Sequence, residues 1–258
     1  LIACKCEEII ETLVDHFSRE FKIKNSGPVN LYLSINISID YGKHTASLDQ
    51  TDYIMAMWKR FGFAENHRVR SPFQENWKVL LEEELNSMSK SDREFVSNFP
   101  YRELVGSLLF ISMCTRGDIC YEVHYLSRFL ENPPKSACMA GKRVLQYLYN
   151  TRDKKLTLGG SLKPLLTMFC DTDWAACTLT RKSVECYFLY FGNGCIMWSS
   201  KQQSNIALST AEAEYCCLTP GTNIIRWTRN LLHELNLGYK RATAIYTDNT
   251  TAQNFVEN

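Results

Sequence analysis

The last hundred residues restrict the fold most. Three runs rich in β-forming residues, 165–171, 184–192 and 195–200, follow one another, with 204–208 extending the third. A helix then begins at Ser209, a fourth strand occupies 242–247, and another helix opens at Asn249. Strand, strand, strand, helix, strand, helix is the order of an α/β layer with mixed strand directions. Acids sit at three of its junctions: Asp171 ends the first strand, Glu214 lies in the first turns of the helix, and Asp248 ends the fourth strand. Such an arrangement gathers carboxylates from distant sequence around a divalent metal.

Each acid has a commoner use, so each is weighed against a neighbour. Ser209 and Glu212 match a Ser-x-x-Glu capping box, in which the glutamate turns back to the N-cap amide. Glu214 instead shares a helix face with Leu218 and Ile225, the stripe that meets the sheet. A carboxylate there needs a partner, because burying an unpaired charge is costly. Glu214 is therefore favoured over Glu212. Asp171 and Asp173 can share one strand face; Asp171, nearer the apolar run, is favoured. The ordinary alternative for Asp248 is to cap the helix that follows it.

Upstream, Ile9, Ile10, Leu13, Val14 and Phe17 recur at helical spacing. Leu31, Leu33, Ile35, Ile37 and Ile39 alternate as one strand, and a turn at 41–44 leads into a second strand over 45–48. An amphipathic helix covers 52–61 and stops at Gly62; His44 and His67 read as loop residues. Residues 68–97, with Pro72 and the run Glu82, Glu83, Glu84, read as a mobile connection whose acids form a solvated face. A helical region follows, with stripes Leu104, Leu108, Ile111, then Ile119, Val123, Leu126, Phe129, and, beyond Pro133-Pro134, Val144, Leu145, Leu148. Lys135, Lys142, Arg143, Arg152, Lys154 and Lys155 cluster there against Asp153 alone. They suit phosphate contacts or a solvated helix face equally well.

Composition narrows the class. A formal net charge of +1 gives no global field for nucleic acid, so any such contact is local. Eleven cysteines, none spaced Cys-x-x-Cys, suit neither a disulfide framework nor a structural zinc site. Scattered thiols fit a reducing intracellular setting, cytoplasm or nucleus. No run approaches the length of a membrane span, so no membrane partner is expected.

Specific motifs resemble one family. Asp171-Thr-Asp-Trp-Ala, Trp198-Ser-Ser-Lys-Gln-Gln, Ala207-Leu-Ser-Thr-Ala-Glu-Ala-Glu-Tyr and Tyr246-Thr-Asp-Asn resemble the ribonuclease H domain of copia-type retrotransposon Pol polyproteins. Tyr101-Arg-Glu-Leu-Val-Gly-Ser-Leu, Thr115-Arg-Gly-Asp-Ile, Leu126-Ser-Arg-Phe and Lys142-Arg-Val-Leu-Gln-Tyr-Leu are similar to the segment after the polymerase palm. Phe21-Lys-Ile-Lys-Asn-Ser-Gly and Gln50 through Phe63 look like the end of the reverse transcriptase palm. The motifs fall in the family's order over nearly the whole chain.

The resemblance implies a partial α+β palm over 1–72, a linker and helical thumb-like region over 73–155, and a ribonuclease H-like mixed sheet over 156–258, truncated at its C-terminus. It implies a carboxylate set, Asp171, Glu214 and Asp248, binding two Mg2+ ions for hydrolysis of RNA in an RNA–DNA hybrid. It places the polymerase aspartates directly before Leu1 and a fourth ribonuclease H aspartate beyond Asn258, so weak or absent activity is expected of this segment. The partners implied are the hybrid and the remainder of the Pol polyprotein. The alternatives are a non-catalytic nucleic-acid-binding module and an inert degenerate fragment. Departures from the pattern include Ala176 and Cys186 at glycine positions, Gly117 at a proline position, and Pro220-Gly221, expected to interrupt the helix carrying Glu214.

Overall fold

The computed structural model describes all residues except 1, 3, 5, 62–67, 75, 86, 161–164, 178–179, 238 and 258, and the side chains of 85 and 255–257. The expected helix stop at Gly62 and the loop residue His67 lie outside the described residues. In chain order the elements begin with α1 (Glu7–Glu20), β1 (Leu31–Tyr32), β2 (Ile35–Asp40), β3 (Thr45–Asp49) and α2 (Thr51–Phe61). The helical middle comprises α3 (Trp77–Leu85), α4 (Lys90–Asn98), α5 (Tyr101–Cys114), a 3-10 turn at Gly117–Ile119, α6 (Cys120–Ser127) and α7 (Lys135–Asn150). Then come β4 (Leu156–Gly159), β5 (Leu166–Asp173), β6 (Val184–Phe191), β7 (Gly194–Gln202), α8 (Thr210–Glu234), β8 (Ala244–Tyr246) and α9 (Thr250–Glu257).

Two sheets result, giving a mixed α/β architecture. The first runs β1-β2-β3-β4, antiparallel throughout. The alternating run expected as one strand from Leu31 is split, because Leu33 and Ser34 both adopt positive φ (48° and 62°). Positive φ at both central residues is the two-residue hairpin turn that matches strand twist, and it lacks its usual Asn-Gly signal here. The strand at Leu156–Gly159 hydrogen-bonds to β3, so the chain completes the N-terminal sheet before entering the second.

The second sheet has the order β7-β6-β5-β8. β5, β6 and β7 form an antiparallel meander, and β8 returns beside β5 in parallel after the α8 crossover. Residues 204–208 do not extend β7; they are irregular chain leading to the helix. Leu166, Met168 and Cys170 of β5 alternate inward and meet Leu189, Cys217 and Ile225, the core beneath α8. The helix is unbroken through Pro220, so the expected interruption does not occur. Gly221 instead lets α8 sit close on the sheet: a Cβ there would lie 2.8 Å from Met168 Sδ and 3.1 Å from Cys170 Sγ.

The larger core is helical. Leu104, Leu108 and Ile111 of α5 pack with Ile119, Val123, Leu126, Phe129 and with Val144, Leu145 and Leu148 of α7. The connection expected over 68–97 contains two helices, α3 and α4. Leu81 of α3 is fully buried in this core, and Trp77 packs against it. The acids nearby are not a wholly solvated face: Glu82 accepts from Tyr125 Oη at 2.9 Å, and Glu84 accepts from the Ser136 amide at 2.7 Å. Helical core and second sheet meet where Trp198 of β7 donates its indole N–H to Ser112 O at 2.7 Å. Its ring lies against Gly117, where a Cβ would fall within 3.0 Å.

Candidate metal centre

β5 and β8 are neighbours in parallel register, with Phe169 opposite Tyr246. Asp171 and Asp248 each stand two residues beyond that last parallel pair on the carboxyl side, Asp171 still within β5, which runs on to Asp173, and Asp248 past the end of β8. That end of a parallel pair is where open α/β sheets collect ligands. Glu214 reaches the same point from α8, whose start is fixed by Ser209: its Oγ accepts from the Glu212 amide at 3.1 Å. One oxygen from each of Asp171, Glu214 and Asp248 lies within 4.8 Å of the others.

The rejected neighbours have other occupations. Glu212 turns back as a capping glutamate, but to the amide of Leu208 at 2.7 Å, one residue before the N-cap. Asp173 accepts from Lys78 Nζ at 3.2 Å and from Tyr121 Oη at 3.1 Å, tying β5 to the helical region. Asp248 does not cap α9. Asn249 does so, its Oδ1 accepting from the Ala252 amide at 3.0 Å.

Glu214 is the buried member, 5% exposed, while Asp171 and Asp248 are exposed. Its oxygens accept from the Thr172 amide at 3.0 Å and from Thr247 Oγ1 at 3.3 Å. Burial pushes its carboxyl above the usual range, and the charges of Asp171 and Asp248 push the same way, against these two donors. The donors are all oxygen, with neither imidazole nor thiol among them, which suits a hard divalent cation such as Mg2+. Thr172 and Thr247 were not anticipated as donors, although each is adjacent in sequence to a candidate acid.

The six basic residues follow α7: Lys135 opens it, Lys142 and Arg143 lie at its middle, and Arg152, Lys154 and Lys155 come just after its last residue, Asn150. At the start of α7 Lys135 pairs with Asp92 at 2.7 Å, and in mid-helix Lys142 lies 5.5 Å from the Phe99 ring centroid. Arg143 buries an Nε that has no hydrogen-bond partner among the described residues. At the other end Arg152 stacks 4.8 Å from the Tyr149 ring and donates to Tyr149 O, Lys154 lies 5.9 Å from the Tyr147 ring, and Lys155 pairs with Asp49 at 3.3 Å. All eleven cysteines are free thiols. No helix among the described residues is long and apolar enough to cross a membrane.

Comparison with known proteins places the chain. It is 33% identical over its whole length to the retrovirus-related Pol polyprotein from transposon TNT 1-94 of Nicotiana tabacum, and 30% identical over 95% of its length to that from transposon RE1 of Arabidopsis thaliana. It is also 30% identical over 83% of its length to a putative transposon Ty5-1 protein of Saccharomyces cerevisiae, 67% of which it covers. The chain belongs to the retrovirus-related Pol polyproteins of copia-type transposons. This Pol segment spans 19% of the tobacco polyprotein and 16% of the Arabidopsis one. No family model matches it, and no solved structure does.

Proposed function

We propose that this Pol segment carries a ribonuclease H-type site for weak hydrolysis of the RNA strand of an RNA–DNA hybrid. The reading rests chiefly on the convergence of Asp171, Glu214 and Asp248 within 4.8 Å, just beyond the parallel pairing of β5 with β8 and in the first turns of α8. The sheet order β7-β6-β5-β8, with α8 crossing between the meander and the parallel strand, supports a ribonuclease H-like fold. The partial palm and thumb-like regions upstream are read in the same frame.

In this account Asp171, Glu214 and Asp248 would hold Mg2+, which when bound would supply Lewis acidity toward a water and toward the leaving oxygen of the phosphodiester. Asp171 and Asp248 present oxygens to solvent, where a phosphate backbone has access. Glu214 is pre-oriented by the Thr172 amide and Thr247 hydroxyl, so its carboxylate pays little ordering entropy on binding. Contacts to the hybrid are mainly to its backbone, without nucleotide preference.

The test is Mg2+-dependent cleavage of an end-labelled RNA–DNA hybrid by the wild-type chain and by Asp248→Asn. Cleavage that the substitution abolishes supports the reading. Salt-sensitive hybrid binding without cleavage favours the binding-module alternative. Neither binding nor cleavage leaves a fold without this chemistry.

A further inference from the structure

Gln203, just beyond β7, is 7% exposed, and a buried amide needs partners for both of its ends. Its backbone N–H donates to Ser183 O at 2.9 Å, fixing it beside the start of β6. Its Nε2 donates to the carbonyl oxygen of Ala213 at 2.8 Å, a bond buried from solvent. Ala213 is itself fully buried and immediately precedes Glu214. The same carbonyl accepts from Thr172 Oγ1 at 3.4 Å, while the Thr172 amide holds Glu214 Oε1 at 3.0 Å. The first turns of α8 are thus fastened from two strands: β7 through Gln203, and β5 through the residue that follows Asp171.

We propose that Gln203 is a positioning residue that sets the Glu214 carboxylate against Asp171 and Asp248 by anchoring α8 at the Ala213 carbonyl. The proposal rests on the reading of this cluster as a divalent-metal site. Gln203 touches no oxygen of the cluster, so its effect on Glu214 passes through the backbone of α8; its side chain also hydrogen-bonds the Glu185 carboxylate. A helix is stiff, and a shift of about 1 Å at its first turn displaces a ligand oxygen beyond what a small octahedral cation tolerates. Thr172 has two holds on the same turn, so Gln203 supplies the independent one from the opposite side of β6. An apolar residue of similar volume preserves packing but leaves the Ala213 carbonyl without its buried side-chain donor.

The experiment measures Mn2+ affinity by electron paramagnetic resonance in the wild-type chain, Gln203→Leu and Gln203→His, alongside melting temperature in EDTA. Outer-shell partners of metal ligands typically contribute 10- to 100-fold in affinity. The expected result is roughly a tenfold loss in Gln203→Leu, partial recovery in Gln203→His, which restores a donor, and metal-free melting of all three within a few degrees. Should Gln203→Leu fail to fold, Gln203→Met, which likewise lacks the amide donor to Ala213 O, is expected to weaken Mn2+ in the same direction. Mn2+ binding by the wild type with unchanged affinity in the folded variants overturns this proposal alone. Absence of Mn2+ binding by the wild type overturns the metal-site reading and this proposal together.

Discussion

Asp171 and Asp248, 77 positions apart in sequence, stand at equivalent steps beyond Phe169 and Tyr246, a registered pair on adjacent parallel strands. Register alone brings these two carboxylates to one edge of the sheet. Electrostatics then separates Asp171 from its neighbour Asp173, which is engaged by Lys78 and Tyr121. Asp171→Asn is expected to abolish Mg2+-dependent cleavage, at least about a hundredfold. Asp173→Asn is expected to leave metal affinity within about twofold and to lower stability by roughly 1 kcal/mol or less, the scale of a partly exposed ion pair. Parallel cleavage assays and melts of the two variants check this.

Glu214 gives a pH dependence of definite sign. Its carboxyl is raised in the folded, metal-free protein, so the folded state holds that proton more tightly than the unfolded chain. Its contribution to stability is therefore fullest below the ordinary carboxyl value of 4.5 and falls as pH rises through the raised value. Glu214→Gln removes that loss. In EDTA at neutral pH the variant is expected to melt a few degrees above wild type, while losing the stabilisation that Mg2+ gives the wild type. Thermal melts across pH, with and without metal, check both parts.

Arg116 and Asp118 make the opposite case. Arg116 is buried, donates to both Asp118 oxygens at 2.8 Å, and also donates to Thr151 O and Oγ1. Burial alone would raise the Asp118 carboxyl, but the Arg116 bonds and charge, with Tyr147 Oη, hold it below its usual range. That stability is present above the ordinary value of 3.8 and is lost as pH falls through the lowered one. Arg116→Met leaves Asp118, whose side chain is 37% exposed and so partly screened by water, without its cation and removes the bonds to Thr151; it is expected to cost about 1 kcal/mol at neutral pH. Urea denaturation at neutral pH, and an acid titration in which Asp118→Asn flattens the fall, provide the check.

Gly221 explains how α8 approaches the sheet despite Pro220. Its missing Cβ makes room for Met168 Sδ and Cys170 Sγ. Gly221→Val is expected to destabilise by about 2 kcal/mol through overpacking, and to weaken metal binding by lifting the helix that carries Glu214. Gly221→Ala is expected to be milder, since its single methyl displaces less of the thioether. Chemical denaturation of both variants ranks them.

Much of the candidate site is legible in the sequence, because its signals are local. An apolar, β-forming run ending at Asp171 marks β5, a Ser-x-x-Glu box removes Glu212 from contention, and a polar residue on the stripe of Leu218 and Ile225 marks Glu214. What escapes the sequence depends on distant partners. α3 and α4 look like a polar connection because Leu81 finds its core in α5 and α7, and Glu82 and Glu84 find donors in Tyr125 and Ser136. The acids that pair with Lys155 and Lys135, Asp49 and Asp92, lie 106 and 43 positions away and so leave no local signal beside the basic cluster. The Leu33-Ser34 turn lacks the residues that favour positive φ, so alternation continues across it unmarked.

The most direct measurement is a calorimetric titration of Mg2+ into the wild-type chain and into Asp248→Asn. The account predicts saturable binding by the wild type and affinity at least tenfold weaker in the variant, because one of three converging carboxylates loses its charge. Equal affinity in the two proteins, or no binding by the wild type, would contradict the assignment of Asp171, Glu214 and Asp248 as a metal centre.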